Sequence, residues 1–166
     1  MTTQSVQRVA LLGARQLAEV VRRFAASPAE WLPRVRLNPV GRWYEQVHLD
    51  DSHEIWLISW LPGQETGFHD HGGAAGAFSV VLGTLLESRM LGGERSGRVL
   101  AKPVSAGRIR SFGPRYIHNV RNAAPASVAV SVHAYSPPLS AMTRYELTTT
   151  GLVPIRTEPA TAWSAA

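Results

Sequence analysis

The chain of 166 residues contains no cysteine. That absence excludes disulfides, thiolate metal sites and cysteine nucleophiles, so any transition-metal site must be built from His, Asp or Glu. Long apolar runs are missing too. No stretch approaches the roughly 20 apolar residues of a membrane span, and Leu11–Leu12 is too short for a signal-peptide core. A cytoplasmic protein without a membrane partner is expected. Lysine is almost absent: of seventeen basic residues only Lys102 is Lys. The net charge is +5, and residues 89–121 hold eight basic residues against Glu94 alone. These alternate with apolar residues, as on the wet face of strands, and lack the basic stripe with stacking aromatics that nucleic acid requires. Nucleic acid is therefore not an expected partner. The positive excess favours entry of small anions.

The length suits one domain with a full core. Residues 5–26 carry Val6, Val9, Leu12, Leu17, Val20, Val21 and Phe24 near a 3.6-residue period, with arginines on the other face. The spacing predicts a helix, weakened in its middle by Gly13 and ended at Ser27-Pro28. A short helix over 28–32 follows, stopped by Pro33. From residue 40 the character changes. Segments 43–49, 54–61, 78–90, 98–103, 109–112 and 127–135 are rich in β-branched and aromatic residues, and Gly, Pro, Asp and Asn turns separate them. Many short strands with regular turns predict a mainly β sandwich or small barrel. A single domain is expected over 1–166: a helical segment at 1–36, a barrel at 40–150 and a peripheral tail at 151–166. That tail carries a last strand at 152–156, then disorder.

Six histidines are present. His69-Asp70-His71 is the informative pair, because i and i+2 on a strand point to one face and two imidazoles can then bite one metal. His118 follows a Gly-Pro turn in the segment His118-Asn119-Val120-Arg121-Asn122. An early HxH strand and a later His strand on opposing sheets are what a metal inside a small barrel requires. Asp70 points to the other face of its strand. His48 and His53 flank the turn at Asp50-Asp51 and read as exposed turn residues. The segment Ser131-Val-His133-Ala-Tyr135-Ser136-Pro137-Pro138 puts Ser131, His133 and Tyr135 on one strand face, where they can hydrogen-bond in series.

Gly63, His69, His71 and Gly83 fall in register with the first motif of the cupin superfamily, and His118 with Asn122 matches the end of the second. The chain therefore resembles a cupin, a double-stranded β-helix or jelly-roll barrel, here with N-terminal helices. Ala75 or Gly76 stands where the usual Glu ligand would be, and Tyr116 replaces a usual Gly. Together with SVHAYSPP, these anchors resemble the cysteine dioxygenase type I family, from about Arg42 to Pro138. The resemblance implies one Fe(II) per chain on His69, His71 and His118. It also implies a Tyr135 hydroxyl aimed at the metal site and oriented by His133 and Ser131. Arg42 stands near the family's substrate-carboxylate arginine. The family's tyrosine–cysteine crosslink cannot form, because Gly76 occupies the cysteine position. The tyrosine that accompanies the arginine in some members corresponds to Val40, which weakens amine recognition.

The activity implied is conversion of L-cysteine and O2 to cysteine sulfinic acid by a monomer, with the thiol and O2 as its only partners. Three alternatives stand beside it. One is a dioxygenase for 3-mercaptopropionate or a broader set of thiols. Another is a non-catalytic metal-binding cupin sensor, against which the Ser–His–Tyr series argues. The third is a zinc or nickel hydrolase or isomerase, for which the motifs supply no acidic base facing the metal.

Overall fold

A computed structural model describes residues 10–92 and 97–160. The chain begins with helix α1 (Ala14–Ala25), then α2 (Pro28–Trp31) and a 3-10 turn at Leu32–Arg34. Eleven strands follow: β1 (Trp43–Leu49), β2 (Glu54–Trp60), β3 (Phe68–His69), β4 (Ala75–Leu82), β5 (Thr84–Leu91), β6 (Arg98–Ser105), β7 (Ile109–Phe112), β8 (His118–Arg121), β9 (Ala129–Ser136), β10 (Ala141–Thr148) and β11 (Gly151–Pro159). They form two antiparallel sheets, one in the order β1-β2-β9-β4-β7 and one in the order β11-β10-β3-β8-β5-β6. No helix among the described residues is long and apolar enough to cross a membrane.

Alternation along the strands builds two cores. On β9 all eight residues are buried. Val130, Val132 and Ala134 face outward with Ile55 and Leu57 of β2, and pack against Leu17 and Val21 of α1 and Trp31. Burying Leu17 or Val21 against this face contributes about 1.5–3 kcal/mol each. The other β9 parity, Ala129 and Tyr135, faces the barrel interior with Trp60, Phe78, Leu85, Phe112 and Val120. A strand buried on both faces carries apolar residues on one side and leaves the other free for polar chemistry.

The helix starts later than its periodicity suggests. Gly13 sits at the N-terminal cap, where its N–H donates to Gln16 Oε1 at 2.9 Å, and residues 10–12 are not helical. The expected turn over residues 5–9 lies outside the described residues, as does the 161–166 part of the disorder expected after 156; residues 157–159 belong to β11 instead. The single strand expected at 78–90 is two strands in different sheets. Gly83 breaks it with φ +75°, and a Cβ there would come within 2.6 Å of the Val128 carbonyl oxygen. Only glycine combines that conformation with that approach. Strand β10 has no counterpart among the expected segments, and β11 pairs with it along its whole length rather than forming a short strand in a peripheral tail.

Candidate metal centre

His69 ends the two-residue strand β3, and His118 opens β8 directly opposite it. This corrects the expectation of opposing sheets: the two histidines are cross-strand neighbours within the six-stranded sheet. His71 lies just past β3, outside any strand. Asp70 makes that placement rigid. Its Oδ1 accepts the N–H groups of Gly72 and Thr143, each at 3.0 Å, and its Oδ2 accepts the Tyr145 hydroxyl at 2.9 Å. Asp70 is thus committed to holding the turn that presents His71.

The three imidazoles form a near-equilateral triangle, with ring centres 4.8, 4.9 and 5.1 Å apart. One nitrogen from each lies within 4.8 Å of the others. All three residues are buried. Each ring is held differently. His69 Nδ1–H donates to the Gly67 carbonyl at 3.0 Å. His118 Nδ1–H donates to Glu87 Oε1 at 2.9 Å. Both acceptors lack a proton, so the tautomers leave each Nε2 lone pair for the centre. His71 is sandwiched between Phe112 and Tyr135 at 4.8 and 5.1 Å. The Tyr116 backbone approaches it and favours its proton, yet neither ring nitrogen has a partner in hydrogen-bond geometry. Burial holds His69 and His71 well below the usual imidazole pKa, and the neighbouring imidazoles add to this. Buried, convergent nitrogens with one ring unsatisfied fit a divalent transition metal.

Glu87 is the residue the motifs did not reveal. No carboxylate stands at the usual ligand position, yet this one sits behind His118 and is buried. Tyr116 donates its hydroxyl to Glu87 Oε1 at 3.1 Å, and Arg110 Nε lies 3.3 Å from Oε2 as an ion pair outside hydrogen-bond geometry. Burial pushes the Glu87 carboxyl up, but the His118 and Tyr116 hydrogen bonds and the Arg110 charge outweigh it and leave it below its ordinary value. A carboxylate behind a ligating imidazole fixes the tautomer and raises the ring's basicity. Parity was the available signal: Glu87 stands two residues after the fully buried Leu85 on β5. Tyr116, in place of a usual glycine, stacks on Phe112 at 4.7 Å.

Strand β9 carries a hydrogen-bonded series with a defined direction. Trp60 Nε1–H donates to Ser131 Oγ at 2.8 Å. Ser131 is fully buried, and its own proton meets His133 Nε2 as acceptor at 2.8 Å. His133 then carries its proton on Nδ1 and donates it to the Tyr135 oxygen at 3.3 Å. The Tyr135 proton is left to donate into the pocket. Burial, with help from His118 and Arg42, lowers the His133 pKa to about 3, so the ring is neutral. Burial raises the Tyr135 hydroxyl, which stays protonated. Gly76 pairs with Tyr135 in register, and a Cβ on it would run into the Phe112 ring and approach Tyr135 Cδ1 to 3.0 Å.

His69, His118, His133 and Tyr135 line a cavity of about 100 Å³ with Arg42, Trp56, Met142 and Arg144. A cavity of that size admits a ligand of a few heavy atoms. Arg42, just before β1, places its guanidinium carbon 5.3 Å from the Trp60 ring centre. Burial and the nearby Arg144 lower its pKa. Arg144, across from His69 on β10, donates to the Thr66 carbonyl at 3.0 Å and to Glu158 at 3.1 Å. It is the second cation of the pocket, and it lies on the strand the sequence did not announce. Val40 is 97% exposed and contributes nothing to the cavity.

The family model described as cysteine dioxygenase type I matches residues 3–148. Among solved structures, a protein from Thermus thermophilus superposes with a TM-score of 0.54 at 21% identity, covering 64% of this chain and 94% of its own. A protein with a double-stranded β-helix domain from Klebsiella pneumoniae gives 0.53 at 18% identity, covering 74% and 90%. An RmlC-like cupin from Desulfovibrio desulfuricans gives 0.52 at 20% identity, covering 63% and 91%. These likenesses establish the cupin barrel.

Proposed function

Because this chain belongs to the cysteine dioxygenase type I family, we propose that it is a ferrous-iron thiol dioxygenase converting L-cysteine and O2 to cysteine sulfinic acid. The observation that carries this reading is one small cavity lined by His69 and His118 of the three-histidine triangle, by Arg42, and by the free end of the Ser131–His133–Tyr135 series. His69, His71 and His118 would hold the metal. When bound, ferrous iron supplies acidity toward the thiol and spin-allowed chemistry with O2.

The rest is the work of the protein. Arg42 receives the substrate carboxylate, because guanidinium forms a bidentate pair and keeps its charge. Tyr135 donates its hydroxyl proton toward the reacting sulfur and oxygen, and His133 and Ser131 hold it there. Trp60 anchors the far end. The inner wall, with His118, Val120, His133 and Tyr135, is buried, which strengthens the contacts made there. The reaction balances without a further reductant: both atoms of O2 become bonded to sulfur, and the sulfur supplies the electrons.

A specific observation favours a second reading. The cavity is lined by Arg42 and Arg144 and by no carboxylate. A substrate ammonium would find no carboxylate among the described lining residues, Glu158 being held behind Arg144 as its ion-pair partner, whereas 3-mercaptopropionate carries only the carboxylate. Oxygen uptake and product mass, measured side by side with L-cysteine and 3-mercaptopropionate on anaerobically iron-loaded protein, decide between them. A higher kcat/KM for 3-mercaptopropionate replaces cysteine as the substrate. Bound metal without oxygen uptake on either thiol returns the protein to the sensor class.

A further inference from the structure

We infer that the tip of the β1–β2 hairpin is a second metal site, which takes a first-row divalent cation of the zinc class on His48, Asp50 and His53. These residues read from sequence as plain turn residues. The folded hairpin brings their ligand atoms together, within 4.8 Å of one another.

The turn is built so that half of the Asp50 carboxylate is left over. Asp50 N–H donates to the His53 carbonyl at 3.0 Å and closes the hairpin. Asp50 Oδ1 accepts Ser52 N–H at 2.8 Å, Ser52 Oγ–H at 2.7 Å and His53 N–H at 2.9 Å. These bonds satisfy the loop backbone. Oδ2 takes no part in them and meets His48 Nε2 at 3.0 Å. His53 Nδ1 pairs with Ser52 Oγ at 2.8 Å and lies 3.3 Å from Oδ1, so an incoming ion would take the place of Ser52 Oγ on that nitrogen.

The two rings bond side chains of the turn, Asp50 and Ser52, and are gathered around it. Strand β1 bulges at Val47, so that Gln46 opposes Trp56 while His48 opposes Ile55. A bulge bends the strand and re-aims its side chains. The His48 and His53 rings then lie 4.6 Å apart, tilted by 34°. His53 is 16% exposed, so its ring is already fixed, while His48 and Asp50 are 42% and 46% exposed and leave room for water.

Ligand atoms around a tetrahedral zinc-class ion sit roughly 3.3–3.5 Å apart, given metal–ligand bonds of about 2.0–2.1 Å. The His48 Nε2–Asp50 Oδ2 contact at 3.0 Å and the His53 Nδ1–Asp50 Oδ1 contact at 3.3 Å, one to each carboxylate oxygen, are close to that spacing. Two imidazoles and one carboxylate suit zinc, cobalt, nickel or copper, and disfavour magnesium and calcium, which want oxygen ligands. None of these residues lines the cavity of the three-histidine centre. The hairpin site therefore fills independently of it.

The test is a total-metal count on the full chain. Anaerobically iron-loaded protein is incubated with Zn(II), cleared of free ions and analysed for all metals, so exchange at the inner centre does not change the sum. The wild type should hold two metals per chain and the His48→Asn/His53→Asn double variant one. Asp50→Asn keeps an acceptor for the turn and removes the charge, and should weaken the second equivalent at least tenfold. The double variant's remaining equivalent shows that it is folded. A wild-type count of one, or equal counts in wild type and double variant, overturns the inference.

Discussion

The two sheets divide the labour of the centre unequally. The six-stranded sheet and the turn after β3 supply the three imidazoles, each held by a different device: a backbone carbonyl for His69, a buried carboxylate for His118, ring stacking for His71. The five-stranded sheet supplies the proton-holding series, in which Trp60, Ser131, His133 and Tyr135 share one line of hydrogen bonds. The first arrangement is convergent, and in the proposed centre each member would contribute one bond to the metal. The second is serial, and each member acts through its neighbour. Metal retention and proton control are therefore separable by mutation.

The largest expected break is on the convergent side. His118→Ala removes one of the three imidazoles and leaves buried Glu87 with only the Tyr116 hydroxyl as hydrogen-bond donor, beside Arg110. Iron content by elemental analysis should fall from one per chain to near zero. Retention of a full equivalent would place the metal elsewhere.

Acid should act on both sheets. In the folded chain the His133 pKa is lowered to about 3, whereas in the unfolded chain it titrates near 6.5. As pH falls, the unfolded state takes up the proton first. The stability held above about pH 6.5 is therefore lost progressively toward about pH 3, on the order of several kcal/mol at full extent. His69 and His71 add in the same direction in metal-free protein. Urea midpoints of that protein from pH 7.5 to 4 should decline steadily; a flat profile would mean that these rings are not buried neutral.

Arg42→Ala tests whether the pocket reads a carboxylate. The loss should be about 1.5–3 kcal/mol of charged hydrogen bonding, on the order of 10- to 100-fold in kcat/KM, with iron content unchanged. Unaltered kinetics with the preferred thiol would assign that role to Arg144 instead. The smallest effect is expected on the serial side. Tyr135→Phe removes one donated hydrogen bond, so turnover should fall about 2- to 10-fold, or product should decouple from oxygen uptake, while iron stays bound. Fully coupled wild-type turnover would take the hydroxyl out of the reaction.

Much of this was legible because it is local. The parity of β9 places Ser131, His133 and Tyr135 together in any extended conformation, and the spacing of His69 and His71 with a later His118 announces a histidine centre. Glu87 was not legible in the same way. It stands in no motif with a ligand, and its meaning depends on β5 lying beside β8, where Ser88 pairs with Asn119 and Arg89 with His118. Arg144 was missed for a related reason: β10 has no strong alternation of its own and is a strand because it pairs with β3 and β11. Gly83 shows the converse case. Its segment reads as one continuous strand, and only the close approach of Val128 and the passage from one sheet to the other reveal that the chain must break there.

What the sequence by itself determined is the fold class and the donor types open to a metal. Without cysteine, a metal can be held only by His, Asp or Glu, and the histidines fall in a recognisable order. What only the tertiary structure decided is which sheet carries each histidine, which carboxylate stands behind His118 and how many cations face the cavity. Side-chain parity is a property of a few consecutive residues. Strand adjacency is a property of the whole packed barrel, set by which apolar faces can be buried together, and no short segment contains that information.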